Sequence, residues 1–313
     1  MIDNFLIRFI LITSIFLGFS NSIFSQIKTK REPDYSRMQR SQHHRLNVQT
    51  IDAINSNRPG NTKSAYNVGT GYFQIEFGLG DLIYKSGEVD TLSFIKQDFS
   101  VRYAFNSKLE AFSDFSFNQK MLHDQPYKES EFSFSPIAVG LMYRLNNGEK
   151  AIPTMSVRGK ALYYKNLLDE SKADLSFMFI TQHQLTPRWV FITNWSASRV
   201  ITNLDLGVTA TVTNVIANDW AWFTEYNFNY LSTKDISSSF LNAGISYLLN
   251  NNIQLDIFGG TSLTLDPEKE IKYLSAGISW RLERKDKRKY NAPHGSERVD
   301  PRVYKKYKNK GVK

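Results

Sequence analysis

The sequence predicts an all-β protein, a transmembrane antiparallel β-barrel of about twelve strands behind an N-terminal signal peptide. Three observations carry this expectation. Segments of about ten or more residues alternate apolar with polar side chains between Gly69 and Leu282, separated by short turn sequences. Aromatic residues gather at one end of these segments. The remaining apolar run, at the N-terminus, is shorter than the ~20 residues a spanning helix needs. The 22 Phe and 16 Tyr, set against nine Pro and no Cys in 313 residues, suit strands with one greasy and one wet face better than a dry core.

Taken in order, Arg8 supplies the positive start of a signal peptide and Phe9 to Phe19 its apolar stretch, with small residues Ser20, Ser22 and Ser25 following. Residues 1–25 are therefore read as a signal peptide. Residues 26–68 form a polar arm with weak periodicity. Residues 69–282 form the barrel and 283–313 a basic tail. The tail from Arg281 holds 13 Lys+Arg against four Asp+Glu, while residues 69–280 hold 17 against 22. The net charge of +9 thus comes from two tails around a mildly acidic body. An exported chain meets no nucleic acid, so lipid head groups, acidic cell-wall polymers or a periplasmic protein are the expected partners of the tail.

The strands expected are 70–84, 91–105, 109–122, 130–146, 154–165, 173–185, 189–200, 203–216, 220–233, 238–250, 253–265 and 270–282. Turns such as Asn106-Ser107-Lys108, Thr186-Pro187-Arg188 and Asn250-Asn251-Asn252 alternate with longer connections. Tight turns on the periplasmic side would place both termini there. The strand ends on that side carry Tyr103, Phe105, Tyr143, Trp189, Trp220, Trp222, Tyr247 and Trp280, as a head-group girdle requires. Pro136 puts Phe132 and Phe134 out of phase with Ile137 and Val139, which predicts a bulge in the fourth strand.

Alternation also sorts the faces. Ile95, Phe99, Val101 and Tyr103 share one face of the second strand and Lys96, Asp98, Ser100 and Arg102 the other. The apolar set must face lipid, leaving a charged lumen lined by Glu76, Lys96, Asp98, Arg102, Glu110, Asp114, Arg144, Arg158, Lys160, Glu225, Asp256 and Arg281, with Lys120 and Asp205 as further candidates. These groups either line a narrow path for a small solute or pair across the lumen and fill it.

No catalytic constellation accompanies them. His43, His44 and His294 lie in the tails, His123 in a loop without a nucleophile motif, and His183 near the periplasmic strand ends. Neither enzymatic activity nor a cofactor or metal is expected.

Three segments, Ala138 to Leu145, Asn242 to Leu249 and Ser275 to Leu282, share a small or polar residue, then Gly, an aromatic and Leu at fixed spacing. This resembles the strand signal read by the outer-membrane barrel assembly machinery, which would be a partner during biogenesis. Asn57-Arg58-Pro59, followed by Gly71-Tyr72-Phe73-Gln74-Ile75-Glu76, resembles the opening of an outer-membrane barrel family of transporters labelled for the meta-pathway of phenol degradation. Asn57 stands where the family has an acidic residue. The resemblance implies a passive outer-membrane transporter, with Arg58, Pro59 and Gln74 at the junction of arm and barrel. The alternative expectation is a structural or assembly component of an envelope complex, tethered by its basic tail.

Overall fold

The computed structural model describes residues 53–86, 90–122, 130–134, 137–148, 152–165, 171–202, 204–217, 219–232, 235–263 and 271–283. The expected signal peptide, the start of the expected arm, the basic tail beyond Glu283, and His43, His44, His123 and His294 lie outside the described residues. Thirteen strand segments follow one another: β1 (Tyr72–Ser86), β2 (Asp90–Ala104), β3 (Leu109–Leu122), β4 (Ser130–Phe134), β5 (Ile137–Arg144), β6 (Thr154–Lys165), β7 (Ser171–Gln184), β8 (Trp189–Ser198), β9 (Asp205–Ala217), β10 (Trp220–Leu231), β11 (Ile236–Asn250), β12 (Ile253–Ser262) and β13 (Ile271–Glu283). All pairings between them are antiparallel, and β1 pairs with both β2 and β13, which closes the sheet.

β4 and β5 lie end to end on the same neighbour, β3, so the wall has twelve staves. Phe134 faces Phe117, whereas Ala138 faces Asp114. The fourth stave thus gains one residue over its neighbour across this break. That shift is the bulge expected from the change of phase; Ser135 and Pro136 themselves lie outside the described residues.

Burial is inverted relative to a water-soluble protein. Gln74, Glu76, Arg102, Glu110 and Glu225 are each no more than 2% exposed, while Leu79, Val139, Leu141, Phe177 and Leu274 are each 48–59% exposed on the outside. The two sets alternate along the strands because successive side chains point to opposite faces. Gly78 and Gly80 continue the inward row of β1 while Phe77 and Leu79 continue the outward one. A concavity of about 850 Å³ also opens outward, between Val139, Val157, Phe177 and Val208, and so faces hydrocarbon rather than the lumen.

One rim carries the short turns 105–108, 185–188 and 251–252, and both ends of the wall, Tyr72 and Glu283, meet there in register. Rings pack along this rim: Tyr103 meets Phe105 edge to face at 5.1 Å, Trp189 meets Trp222 edge to face at 5.7 Å, and Trp220 lies tilted against Tyr247 at 4.6 Å. Amphipathic rings at one level form the girdle anticipated from the strand ends.

The outer face sets a direct test. Val139→Arg should lower the stability of the folded barrel by about 2–4 kcal/mol, the cost of a cation near the bilayer midplane. Urea titration of the heat-modifiable band in vesicles measures this. A midpoint no lower than that of Val139→Ala would mean that this face does not meet hydrocarbon.

Candidate functional site

Residues 53–68 do not lie outside the barrel as an extended arm. They run inside it. Ala53, Ile54, Asn57, Thr62, Ser64, Ala65, Tyr66, Asn67 and Val68 are all buried, and the segment makes a circuit of the inner wall before it becomes β1. Its polar sequence suits this place, because a lumen wall of polar side chains offers partners to every peptide group that enters.

The circuit begins at the tight-turn rim, where the Ile54 N–H donates to the Asn251 carbonyl (2.7 Å). Arg58 then reaches deepest. Its guanidinium donates to both oxygens of Asp256 (3.3 and 3.0 Å) and to Ser275 Oγ (3.1 Å), and its carbonyl accepts from Gln254 Nε2 (2.9 Å). The space it occupies exists because Gly78 and Gly277 sit opposite each other in the register of β1 and β13; a Cβ on either would collide with the guanidinium. Arg58 and Pro59 therefore stand within the lumen and not at its mouth, because the buried Asp256 carboxylate and the glycine notch draw the cation inward.

Glu225, fully buried on β10, takes hold of the next turn. Its carboxylate accepts from the backbone N–H of Asn61 (3.0 Å) and Thr62 (2.7 Å), from the Thr62 hydroxyl (2.6 Å), and from the amides of Asn227 (2.8 Å) and Asn242 (2.7 Å). Neutral wall residues continue the grip. Asn194 clamps Lys63 through its backbone N–H (2.6 Å) and carbonyl (3.0 Å). Gln182 accepts from Ser64 Oγ (3.0 Å) and the Ala65 N–H (3.2 Å), and Ser156 Oγ donates to the Ala65 carbonyl (2.5 Å). Thr154 donates to the Tyr66 hydroxyl (2.8 Å).

Arg102 ties the two ends of the segment together. It lies between Glu76 (3.1 Å) and Glu110 (2.8 Å) and donates to the carbonyls of Asn55 (2.9 Å) and Tyr66 (3.3 Å). The two glutamates also accept the backbone N–H groups of Asn57 (3.1 Å) and Val68 (2.8 Å). Gln74 donates to Glu76 (2.7 Å) and to the Asn55 carbonyl (3.1 Å). A buried ion triad is tolerable only when its remaining donors and acceptors are satisfied, and here the incoming segment satisfies them.

The other lumen candidates stand elsewhere. Asp114 pairs with Arg158 (2.8 Å) beside Lys160, on the wall next to the segment. Arg144 donates to the Ser107 carbonyl, and Arg281 to Asn252 (3.0 Å) and the Asn251 carbonyl (3.1 Å), so both brace turns of the rim. Lys96 and Asp98 pair at 3.0 Å with half-exposed side chains toward the opposite mouth. Arg199 and Asp205 pair near that mouth. His183 is half-buried against Phe191, and among the described residues no group of acids and histidines is placed to hold a metal.

Sequence reasoning missed the neutral partners Asn194, Gln182, Thr211 and Asn242, and Thr62 to Ser64 opposite them. It also missed the apolar part of the grip. Ala53 and Ile54 pack on Val215, Ala221 and Leu248, and Ala65 packs on Phe112, Met142 and Ile180. Between segment and wall remains a polar cavity of about 100 Å³ lined by Arg58, Pro59, Thr62 and Thr211, which is water-scale rather than solute-scale.

Residues 56–282 match the family model described as "Putative MetA-pathway of phenol degradation". The chain belongs to this family. The match begins at Ser56, so the luminal segment from Ser56 onward is part of what makes it a member. A search of curated proteins finds no match. Among solved structures, the chain is similar to the COG4313 outer membrane channel from Pseudomonas putida F1, with a TM-score of 0.52, 10% identity, and coverage of 72% of this chain and 100% of that one. It also resembles the NanC porin (TM-score 0.47, 10% identity, 66% and 100% covered) and the CymD monoaromatic hydrocarbon channel (TM-score 0.42, 9% identity, 69% and 89% covered). At such identity the first likeness shows the fold, which is that of an outer-membrane β-barrel.

Proposed function

We propose that this family member is a passive outer-membrane channel for a small solute, closed at its periplasmic rim by residues 53–68 acting as a plug. The observation that carries the reading is how the plug is held. Its bonds go mainly to polar side chains of the wall, from β1 to β3, β6 to β10, β12 and β13. Two small apolar contacts add to them. A segment held by hydrogen bonds in a water-accessible lumen can exchange each bond for one to water, at a net cost of about 0.5–1.5 kcal/mol for a neutral partner and about 1.5–3 kcal/mol for a charged one, so it can leave without unfolding the wall. A permanent structural core would be built from apolar packing instead.

Both ends of the wall share the tight-turn rim, and the orientation proposed puts that rim, the arm and the basic tail in the periplasm. In such a passive role the solute gradient alone drives movement.

Deleting residues 27–68 behind the intact signal sequence tests the reading in planar bilayers. Full-length protein should be mostly closed, and the deletion should conduct steadily while still showing heat-modifiable migration. A folded deletion variant that stays closed would remove the channel.

A further inference from the structure

We infer that the face of the plug turned toward the open lumen is a binding site for a small anionic solute, built from Lys63 of the plug and Lys160 of the wall. The inference rests on the channel reading and names the class of solute that the channel would admit.

Three cations and two carboxylates meet at this place. Lys63 shares the electrostatic field of Asp114, Arg158, Glu76 and Lys160. Both carboxylates are already spent: one oxygen of Asp114 accepts from Arg158 (2.8 Å) and the other from Ser100 Oγ (2.7 Å), while Glu76 accepts from Arg102 (3.1 Å) and Gln74 (2.7 Å). Arg158 is spent as well, paired with Asp114 and lying over the Phe112 ring at 3.4 Å. Among the described residues, neither the Lys63 nor the Lys160 ammonium has a hydrogen-bond or ion-pair partner. Elsewhere beneath the plug the acids outnumber the cations: Arg102 lies between two glutamates, Arg58 on Asp256, and Glu225 accepts from neutral donors. Among the described residues under the plug, Lys63 and Lys160 are therefore cations that no carboxylate holds.

Position adds to charge. On β6 the residues that bond the plug are Thr154 and Ser156, whereas Arg158 and Lys160 lie further from the tight-turn rim, on the side a solute from the opposite mouth would meet first. Lys63 is also held for presentation. Asn194 grips both its backbone N–H and its carbonyl, which fixes the side chain's origin and leaves the ammonium unengaged. Two like charges brought together in a narrow lumen repel each other, and an anion between them relieves that repulsion. A carboxylate or phosphate group can accept hydrogen bonds from both ammoniums at once.

The site touches plug and wall together, so the solute's own charge would act on the segment that closes the channel. A neutral solute of the same shape would find no such partner.

The test uses the full-length protein in detergent micelles, in chloride-free buffer, with binding measured by titration calorimetry. Sodium propionate, neutral propionamide and inorganic phosphate are the probes. Propionate should bind, propionamide should not, and Lys63→Met and Lys160→Met should each weaken propionate binding at least ten-fold while migrating as folded barrels. Phosphate binding with the same lysine dependence would support a site for small anions in general; propionate without phosphate would support one restricted to carboxylates. Binding unchanged in both variants, absent from the native protein, or equal for propionamide would overturn the inference. The measurement needs no conduction, so its failure is separable from that of the channel. Lysine-dependent binding to a barrel that never conducts removes the channel alone, and conduction without such binding removes this site alone.

Discussion

Glu225→Ala should convert a mostly closed barrel into one that opens frequently, without loss of the folded wall. The single carboxylate accepts two backbone N–H groups and a hydroxyl from consecutive plug residues, Asn61 and Thr62. Hydrogen bonds to a charged group contribute about 1.5–3 kcal/mol each, and removing the acceptor leaves three donors to find water. Water in the lumen restores part of that, so a net loss of about 3 kcal/mol is the conservative figure, equivalent to a shift of ~100-fold in plug occupancy. Single-channel recordings should therefore show open time rising by about that factor. Glu225→Gln keeps one acceptor oxygen and should fall between the two. The wall should tolerate the change, because its strands are joined by backbone ladders and Thr224 and Tyr226 on the outer face are untouched. An open time unaltered in both variants, with the protein folded, would show that Glu225 does not hold the plug.

The wall was legible in the sequence because lipid imposes a strict rule on it. Every strand must present apolar groups outward at every second position, and Ile95, Phe99, Val101 and Tyr103, or Leu255 and Ile257, announce that rule without reference to any partner strand. Twelve staves, the aromatic rim and the phase change near Pro136 all follow from local pattern. The plug obeys no period. Residues 53–68 are irregular backbone whose partners lie up to 223 positions away, as with Ser56 and Ser279, so nothing local marks them as internal.

A trace of the plug was nonetheless present. A lumen that holds only water has no use for inward apolar side chains, yet Phe112, Met142, Ile180 and Leu248 occupy inward positions near the tight-turn rim and are buried. These breaks in the alternation mark where the plug packs. The charged residues were recognisable as inward-facing from their parity alone. Which of them grip the plug, which brace turns and which stand free depends on the register between distant strands, and no single strand carries that information.

Gly277→Leu should release the plug from the wall side, and by the same reasoning Gly78→Leu should do so too. The two residues face each other across the seam where β1 meets β13, and the Arg58 guanidinium fills the space their missing side chains leave. A leucine there evicts the guanidinium from Asp256, Ser275 and the Phe258 ring (5.6 Å) together. Asp256 then remains at the wall without its cation, a loss of about 3–5 kcal/mol when such a pair is buried and less where water reaches it. The expected result is open time raised at least ten-fold. Gly159→Leu supplies the control, since a Cβ there meets only Phe177 at 3.5 Å, an ordinary contact on the outer face. A double variant sharpens the test. If Gly277→Leu acts by displacing Arg58, then adding Arg58→Ala should change open time little beyond either single substitution, because both remove the same interaction. Fully additive effects would mean that the notch and the arginine act independently, and the plug would then be pinned elsewhere.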